Sequence, residues 1–350
     1  MPQGGHWPDT QSFIDDHFIP NKPILLSADC TRNWGALRYW VTDDKQLNIS
    51  YLRQHFGHLT VDVADCQRRA YDDMPKTAMT MNAFLDYWQN RNDNPECPTW
   101  YLKDWHMVRD CPALSADLYQ PAPFFQSPLF DYMNFYWEHG CTGRSDDYKF
   151  VYMGVKNSWT PLHADVFRSY SWSTNILGTK KWILIPPEKA HLVQGAFDLN
   201  GIDLEGIQPL VIYQRAGETL FVPSNWFHQV HNETDCVSIN HNFANAFNLK
   251  YLYGALVQSH GQCEEAISHL KSDMDDEEWK MEVEKLLQAH HGMNWGEFAE
   301  MLEMVKRELL QANTTTLDEL HVGQQTLREF SLLEIEKYLD MPYLSQFTHH

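Results

Sequence analysis

The sequence predicts an α+β fold in which a jelly roll of short strands follows mixed helices and strands and precedes a helical region. Between Lys149 and Phe243, short apolar runs alternate with Gly, Pro and Asn residues, as in a chain of short strands joined by turns. After Asn248, apolar residues recur three and four positions apart, which predicts amphipathic helices. The 13 Trp, 16 Tyr and 18 Phe residues indicate a folded chain, because disordered chains are poor in aromatic residues.

Three parts of one integrated unit are expected. A chain of 350 residues with 43% hydrophobic content can bury a large core, and we favour one elaborated unit over two domains. Residues 1–125 are expected to form an N-terminal flanking region that is integrated with the core. Residues 126–248 are expected to form a double-stranded β-helix, and residues 249–350 a C-terminal helical region.

The N-terminal part is expected to combine α and β elements. Strands are predicted at PILLS, at LTVDVADC and at WYLKDW (Trp100–Trp105), where apolar residues run together or alternate. A helix over Leu47–Gly57 is expected to end with Gly57 as its C-cap. A second helix has one apolar face, which predicts packing in the core, at Met81, Phe84, Leu85 and Trp88.

Between Pro112 and Asp147 we expect irregular structure, because four prolines interrupt any regular element. Aromatic residues are interleaved with these prolines. This composition fits either a mobile wall over a binding site or a packed connection, and we favour the packed connection.

Seven segments from Lys149 onward carry the strand pattern. Their sequences are FVYMGV, SYSWSTNIL, KKWILIPP, LVIYQRAG, GETLFVP, FHQVHN and CVSINHNF. Many short strands with Gly, Pro and Asn turns favour a double-stranded β-helix, which is the cupin-like jelly roll. We expect this barrel to hold the functional site.

Helices are expected in the C-terminal region. The acidic segment SDMDDEE precedes the second of them, and carboxylates in a first turn are stabilised by the positive end of the helix dipole. The segment therefore predicts a helix start rather than a binding tail. We expect these helices to pack as a bundle, which is also a candidate interface for a homodimer.

The formal net charge of −20 makes the chain strongly acidic. Nucleic acids and anionic membranes are bound by clusters of Lys and Arg, so neither is an expected partner. A basic protein partner fits the charge better. The alternative, that the acidity serves solubility alone, stays open.

The seven cysteines include no C-x-x-C pair, so neither a disulfide framework nor a zinc site is predicted. We expect a reduced, intracellular chain in the cytoplasm, with the nucleus as the alternative. The segment MPQGGHWPDTQSF lacks the charged start and apolar run of a signal peptide. No run of about eighteen apolar residues occurs, so we expect a soluble chain without a membrane segment.

A metal site is predicted by two histidines and an aspartate. His163 and Asp165 are two positions apart, so on an extended segment both side chains project from the same face. His228, which follows a strand-like run, supplies a third ligand. Two imidazoles and one carboxylate leave the opposite side of an ion open, as non-haem Fe(II) oxygen chemistry requires. Lys180 could neutralise a carboxylate of an organic co-substrate, with a solvated strand-end lysine as the alternative.

The spacing of His163 and Asp165 alone is a weak signal. Composition gives roughly two His-x-Asp/Glu pairs by chance, and the sequence has two, at His163 and at His231. Thr160, Lys180 and the later His228 favour the first pair, whereas a surface or strand-end histidine is the alternative. His231 is a rival third ligand, but on a strand it points to the face opposite His228.

The blocks around these residues resemble the jumonji C (JmjC) family of Fe(II)- and 2-oxoglutarate-dependent oxygenases. The similar blocks occur in the family's order over most of residues 20–250, as NKPILLSADCTRNW, WYLKDW, TPLHAD, GTKKWILIPP, GETLFVPSNWFHQVHN and SINHNFANAFN. HADVFRSYSWSTN and INHNFAN are most similar to a group associated with lysyl hydroxylation of a eukaryotic translation release factor. The resemblance implies Fe(II), 2-oxoglutarate as co-substrate and O₂, with His163, Asp165 and His228 as the metal ligands. It implies no catalytic side chain beyond the metal centre.

The resemblance also implies the residues that bind 2-oxoglutarate. They are Tyr101, Thr160, Ser173, Lys180, Asn240 and Asn242. Tyr101, Thr160 and Lys180 are expected at the distal carboxylate, although Tyr101 has the alternative of an ordinary buried strand tyrosine. Ser173 stands where some members of the family have Asn, which leaves the hydrogen bonding of the proximal carboxylate open.

Three functions follow from these observations. The leading hypothesis is a protein hydroxylase that acts on a lysine of a translation release factor or a similar basic protein. An N-methyl-lysine demethylase would use the same oxidant, but no histone-reading module or zinc finger is visible in the sequence. A catalytically silent, cupin-like binding module would have no need to keep the metal ligands and the anion-binding residues.

Overall fold

The computed structural model describes residues 7–71, 73–93, 96–140, 147–311 and 319–347. Cys141 and the terminal His349 and His350 lie outside these residues, as does the start of the segment in which no signal peptide was expected. Within the described ranges, no helix is long and apolar enough to cross a membrane.

The strands form two main antiparallel sheets and one hairpin. They are β1 (Ile24–Leu26), β2 (Thr60–Asp65), β3 (Lys76–Thr80), β4 (Trp100–Trp105), β5 (Lys149–Gly154), β6 (Trp159–His163), β7 (Tyr170–Leu177), β8 (Thr179–Ile185), β9 (Leu210–Arg215), β10 (Thr219–Val222), β11 (Phe227–Asn232), β12 (Cys236–Phe243), β13 (His321–Val322) and β14 (Gln325–Thr326). The larger sheet has the order β1-β10-β7-β12-β5-β4-β2-β3, and the smaller has the order β6-β11-β8-β9. This arrangement confirms the predicted jelly roll.

Helices flank the sheets at both ends of the chain. They are α1 (Thr10–Phe13), α2 (Gly35–Tyr39), α3 (Ile49–Phe56), α4 (Met81–Asn90), α5 (Met107–Asp110), α6 (Pro112–Leu118), α7 (Tyr132–His139), α8 (Leu204–Ile207), α9 (Leu249–Ile267), α10 (Asp276–His291), α11 (Trp295–Gln311) and α12 (Leu327–Leu339). The fold is therefore α+β, as the sequence predicts.

The N-terminal part extends the larger sheet. Ile24 of β1 pairs with Phe221 of β10, and Tyr101 of β4 pairs with Gly154 of β5. The strands β4, β2 and β3 thus continue the sheet beyond the jelly roll. The division of the chain at residues 125 and 248 stays a prediction.

Two helices, α6 and α7, lie in the segment from Pro112 to Asp147, so the expectation of irregular structure was wrong for these two stretches. Residues 119–131 between them are mostly irregular, and residues 141–146 lie outside the described ranges. Pro112 lies in the first turn of α6, where its missing N–H leaves no hydrogen bond unmade. Asp131 caps α7 by accepting a hydrogen bond from the backbone N–H of Asn134, at 3.0 Å. Phe124 and Phe125 are buried, with Phe124 stacked on Phe13 of α1 and Phe125 on Trp172 of β7, as in the packed connection that we favoured.

Gly57 follows α3 as predicted, but for a different reason. Its φ of −53° lies in the right-handed helical region, so it is not a left-handed cap. A Cβ atom at this position would overlap the Asn82 side chain and the carbonyl oxygen of Arg53. Glycine is therefore needed for the close approach of α3 to the start of α4.

The C-terminal helices are joined to the core. Asp275 and Glu278 form a capping box at the start of α10, which confirms that the acidic segment begins a helix. Helix α11 packs against α7 and α12, and α9 packs against α10. The Gln11 side chain donates to the carbonyl oxygen of His321 and accepts from its N–H, at 2.8 Å each. These bonds link the two ends of the described chain, whereas a homodimer through the helices stays a prediction.

Candidate active site

Strand pairing brings the two histidines together. His163 ends β6 and is the direct register partner of His228 in β11. Their rings lie 4.3 Å apart between centroids. Asp165 follows two residues after His163, and one ligand atom from each of the three residues lies within 4.8 Å of the others. A pairing between strands distant in sequence therefore assembles the predicted triad.

Backbone carbonyl groups set the orientation of both imidazoles. The Nδ1 atom of His163 lies 2.8 Å from the carbonyl oxygen of Pro161, and the Nδ1 atom of His228 lies 3.0 Å from that of Trp226. A carbonyl oxygen only accepts, so each Nδ1 carries the proton and donates it. Each Nε2 then has its lone pair available for a metal ion.

The protonation state of His163 also suits a metal ligand. Burial, reinforced by the neighbouring His228, lowers the pKa of His163 to about 4. The imidazole is therefore neutral near pH 7, as a metal ligand must be. Ser171 donates a hydrogen bond from Oγ to Oδ2 of Asp165 at 2.7 Å, which fixes the third ligand.

The three residues fit a non-haem iron ion. Two nitrogen ligands and one carboxylate oxygen suit Fe(II) when they gather on one side and leave the other open. The open side here is a cavity of about 740 Å³, which is lined by all three residues. A pocket of this size can receive a bound organic acid and a substrate side chain.

Lys180 supplies a buried positive charge in the same cavity. The residue is only 2% exposed, which rules out a solvated strand-end lysine. Its Nζ donates to Oγ of Ser238 at 2.9 Å and to the hydroxyl of Tyr101 at 3.3 Å. No acidic residue in the described chain pairs with it, and burial lowers its pKa to about 8. A carboxylate entering the cavity would pair with this ammonium group.

The structure brings most of the other predicted co-substrate residues to this cavity. Tyr101, Thr160, Asn240 and Asn242 line it. Ser173 is buried behind the wall, with its Oγ 3.3 Å from Oδ1 of Asn240. Ser173 is thus placed to orient Asn240, whereas its contact with the co-substrate stays a prediction.

His231, the rival ligand, lies away from the other two histidines. Its ring stacks on Trp159 with 5.9 Å between centroids. Its Nε2 atom is 2.7 Å from the side-chain nitrogen of Gln229. The pairing of β11 with β6 is irregular between His228 and Val230. The direction in which the His231 side chain points therefore does not follow from its separation from His228 in the sequence alone.

Several residues that line the cavity were missed from the sequence. They are Asp73, Lys103, Asp104, Phe150, Tyr152, Ser171 and His290. Strand alternation could have found Lys103, which is two residues after Tyr101, and Ser171, which is two residues before Ser173. Nothing in the sequence around His290 shows that the end of α10 reaches the jelly roll.

Comparison with known proteins agrees with a cupin-like fold that holds an iron site. Residues 10–249 match the family described as a cupin-like domain. The chain is 38% identical to the zebrafish (Danio rerio) 2-oxoglutarate and iron-dependent oxygenase JMJD4, over 84% of this chain and 71% of that protein. It is 35% identical to the human (Homo sapiens) JMJD4, over 85% of this chain and 73% of that protein. The Arabidopsis thaliana arginine-specific demethylase JMJ20 is 36% identical, over 82% of this chain and 65% of that protein.

Proposed function

Because the chain belongs to the cupin-like JmjC family of iron- and 2-oxoglutarate-dependent oxygenases, we propose that it hydroxylates a lysine side chain of a protein. The chain is a dioxygenase that uses iron and 2-oxoglutarate. A translation release factor or a similar basic protein is the substrate that we infer. The net charge of −20 supports a basic partner, because opposite charge favours its approach.

One observation supports the proposal most directly: the metal ligands line the same cavity as a buried ammonium group that pairs with no acidic residue in the described chain. His163, Asp165 and His228 would hold Fe(II), and Lys180 would bind the distal carboxylate of 2-oxoglutarate. The bound iron, 2-oxoglutarate and O₂ supply an oxidant that hydroxylates a C–H bond while the co-substrate becomes succinate and CO₂.

The other cavity residues orient the co-substrate. Tyr101 and Thr160 lie beside Lys180 in the wall, so their hydroxyl groups can donate to the same carboxylate. Asn240 and Asn242 are two positions apart on β12 and face the same cavity, where they can hold the other end. The rings of Trp182 and Tyr152 also line this cavity, where apolar surface would keep water from the reacting atoms.

The test is turnover of 2-oxoglutarate to succinate by purified protein with Fe(II) and ascorbate, with and without lysine-containing peptides. We expect succinate formation coupled to the gain of one oxygen atom by a peptide, as measured by mass spectrometry. The His163→Ala variant is the control and should form neither product. A wild-type protein that makes succinate but never oxidises any lysine peptide would contradict the proposed substrate.

An arginine or lysine demethylase is the second candidate, and the identity with the arginine-specific demethylase JMJ20 favours it. Hydroxylation of an N-methyl group releases formaldehyde, so a methylated peptide would lose a methyl group rather than gain an oxygen atom. The same assay with methylated peptides separates the two reactions. The intact ligand set beside Lys180 argues against a silent binding module.

A further inference from the structure

One wall of the active cavity contains charged residues whose hydrogen bonds, in the described chain, involve neither the metal ligands nor the predicted co-substrate residues. Asp73, Lys103 and Asp104 line this wall, together with the aromatic rings of Phe150 and Tyr152. Lys180 lies beside this wall, since its Nζ atom is 5.9 Å from the centroid of the Tyr152 ring. The carboxylates of the wall, however, bond Lys76, Tyr152 and Lys103 rather than Lys180 in the described chain, and so can face a substrate side chain. Its charges then decide which side chain is accepted.

A β-bulge turns Asp104 into the cavity. The pairing of β4 with β5 is regular at Tyr101 and Leu102, and becomes irregular before it resumes at Trp105. In a regular strand, Lys103 and Asp104 would point to opposite faces. Asp104 instead has a φ of +56°, and Lys103 and Asp104 both line the same cavity. Bulges that re-aim a side chain in this way are common beside active sites.

The Asp104 carboxylate is held in place and ionised. Tyr152 donates from its hydroxyl to Oδ1 at 2.7 Å, and Lys76 donates from Nζ to Oδ2 at 2.6 Å. Lys76 is a third exposed, at 34%, so its ammonium group can move into water. Tyr152 lies in β5, so its hydrogen bond to Asp104 would remain when the Lys76 ammonium group moves away.

Asp73 offers a second carboxylate on the same wall. Its Oδ1 atom accepts from Nζ of Lys103 at 3.3 Å, and its Oδ2 atom has no partner in the described chain. Two ammonium groups of the protein itself therefore lie on the two carboxylates of the wall. The four charges cancel, so the wall accepts a substrate ammonium group only in exchange for one of the protein's own, which leaves its net charge unchanged.

We propose that Asp104, with Asp73 beside it, selects the ammonium group of a substrate lysine. The ammonium group replaces that of Lys76 on Asp104, and the aliphatic stem of the substrate lies along Phe150 and Tyr152. This places the middle carbons of the side chain towards His163, which lines the same cavity. The inference rests on the proposed function and adds the residue that sets its substrate class.

The inference is tested by binding, without turnover. The probes are the peptides Ac-GGKGG-NH₂ and its norleucine analogue, titrated into protein that is loaded with Mn(II) and a non-reactive 2-oxoglutarate analogue. Norleucine has the same stem without the charge. We expect the wild type to bind the lysine peptide about tenfold more tightly, as a hydrogen bond to a charged group is worth. Equal affinities for the two peptides would overturn the inference.

Two variants separate recognition from a structural role. Asp104→Asn should remove the preference for lysine, whereas Lys76→Met breaks the same ion pair and leaves the carboxylate available. If Asp104 only anchored Lys76, both variants would bind the lysine peptide alike, which would overturn the inference. If Asp104 receives the substrate, Lys76→Met should keep or increase the preference. Binding of the 2-oxoglutarate analogue checks that both variants are folded.

Lysine recognition by Asp104 and the proposed hydroxylase activity can fail independently of each other. Selective binding of the lysine peptide without any hydroxylation would contradict the proposed function and leave the wall's role in place. Hydroxylation of lysine peptides by Asp104→Asn with an unchanged KM would overturn the inference alone. An arginine version of the peptide that binds better than lysine would also overturn it.

Discussion

Ser171 donates a 2.7 Å hydrogen bond from its Oγ atom to the Oδ2 atom of Asp165. The bond leaves Oδ1 of Asp165 as the oxygen that is free to bind a metal ion, and it prevents rotation of the carboxylate. We predict that Ser171→Ala lowers the affinity for Mn(II) or Fe(II) about tenfold or more, as loss of a bond to a metal ligand does. Isothermal titration with Mn(II) measures this change.

Ser173 is the matched control for Ser171. It lies on the same strand, but its hydroxyl faces Asn240 rather than a metal ligand. Ser173→Ala should therefore leave the metal affinity unchanged. Equal metal affinities of wild type and Ser171→Ala would show that the hydrogen bond does not support the ligand.

The affinity for 2-oxoglutarate should depend on pH through Lys180. Burial lowers its pKa to about 8 when no carboxylate is bound, so the ammonium form dominates below pH 8 and is lost above it. Binding of a carboxylate requires the charged form. The Kd for 2-oxoglutarate should thus be constant below pH 8 and rise about tenfold per pH unit above it.

The Lys180→Met variant tests the source of this pH dependence. It should bind 2-oxoglutarate weakly at every pH and show no rise above pH 8. Fluorescence or calorimetric titration of the Mn(II)-loaded protein gives both Kd profiles. A wild-type profile that stays flat to pH 10 would exclude Lys180 as the titrating group.

Gly154 should be irreplaceable behind Tyr101. A Cβ atom on Gly154 would overlap Ser158, Asn232 and the ring of Tyr101, which is its partner in the sheet. We predict that Gly154→Ala displaces the Tyr101 ring and raises the Kd for 2-oxoglutarate. Gly195→Ala is the control for a loop glycine, since no atom lies near its added Cβ. It should leave the Kd unchanged, although alanine at this positive φ is strained and lowers the free energy of unfolding by about 1 kcal/mol or more.

The C-terminal helices should influence the metal site through Phe167. This residue follows Asp165 in a turn, has a φ of 54° and packs against Tyr148 at 5.9 Å between ring centroids. Gly292, which ends α10, lies beside both rings. We predict that Phe167→Ala lowers the free energy of unfolding by about 3 kcal/mol and weakens metal binding, because the turn that carries Asp165 loses its support.

The control for Phe167 is a core phenylalanine that is remote from the metal ligands. Phe298 of α11 is fully buried among the C-terminal helices. Phe298→Ala should lower the melting temperature by a similar amount and leave the metal affinity unchanged. Equal effects of the two variants on metal affinity would mean that general destabilisation is responsible.

The sequence alone identifies the residues whose spacing or surroundings are local. His163 ends β6, Asp165 follows it by two residues, and His228 lies at the start of β11, so their proximity follows once the jelly roll is recognised. Ser171 could have been found by alternation from Ser173. Ser171 lies within HADVFRSYSWSTN, but a serine by itself carries no sign in the sequence that it bonds a metal ligand.

Other parts of the site could not have been predicted, because tertiary packing decides them. His290 reaches the cavity only because α10 folds back onto the jelly roll. Asp104 enters the cavity through a bulge, and alternation along WYLKDW predicts the opposite face. The helices between Pro112 and Asp147 do not follow from the sequence pattern, because proline interrupts a helix interior but is tolerated in a first turn, where Pro112 lies.

The register between β6 and β11 also bears on the order of folding. His163 and His228 become neighbours only after these strands pair, and the strands β7 to β10 lie between them in the chain. Closing so long a loop is entropically unfavourable, so contacts of this separation form late. The ligands are not assembled in the unfolded chain, and bound iron then adds free energy only to the native state. We therefore expect iron to stabilise the native jelly roll rather than to template its folding.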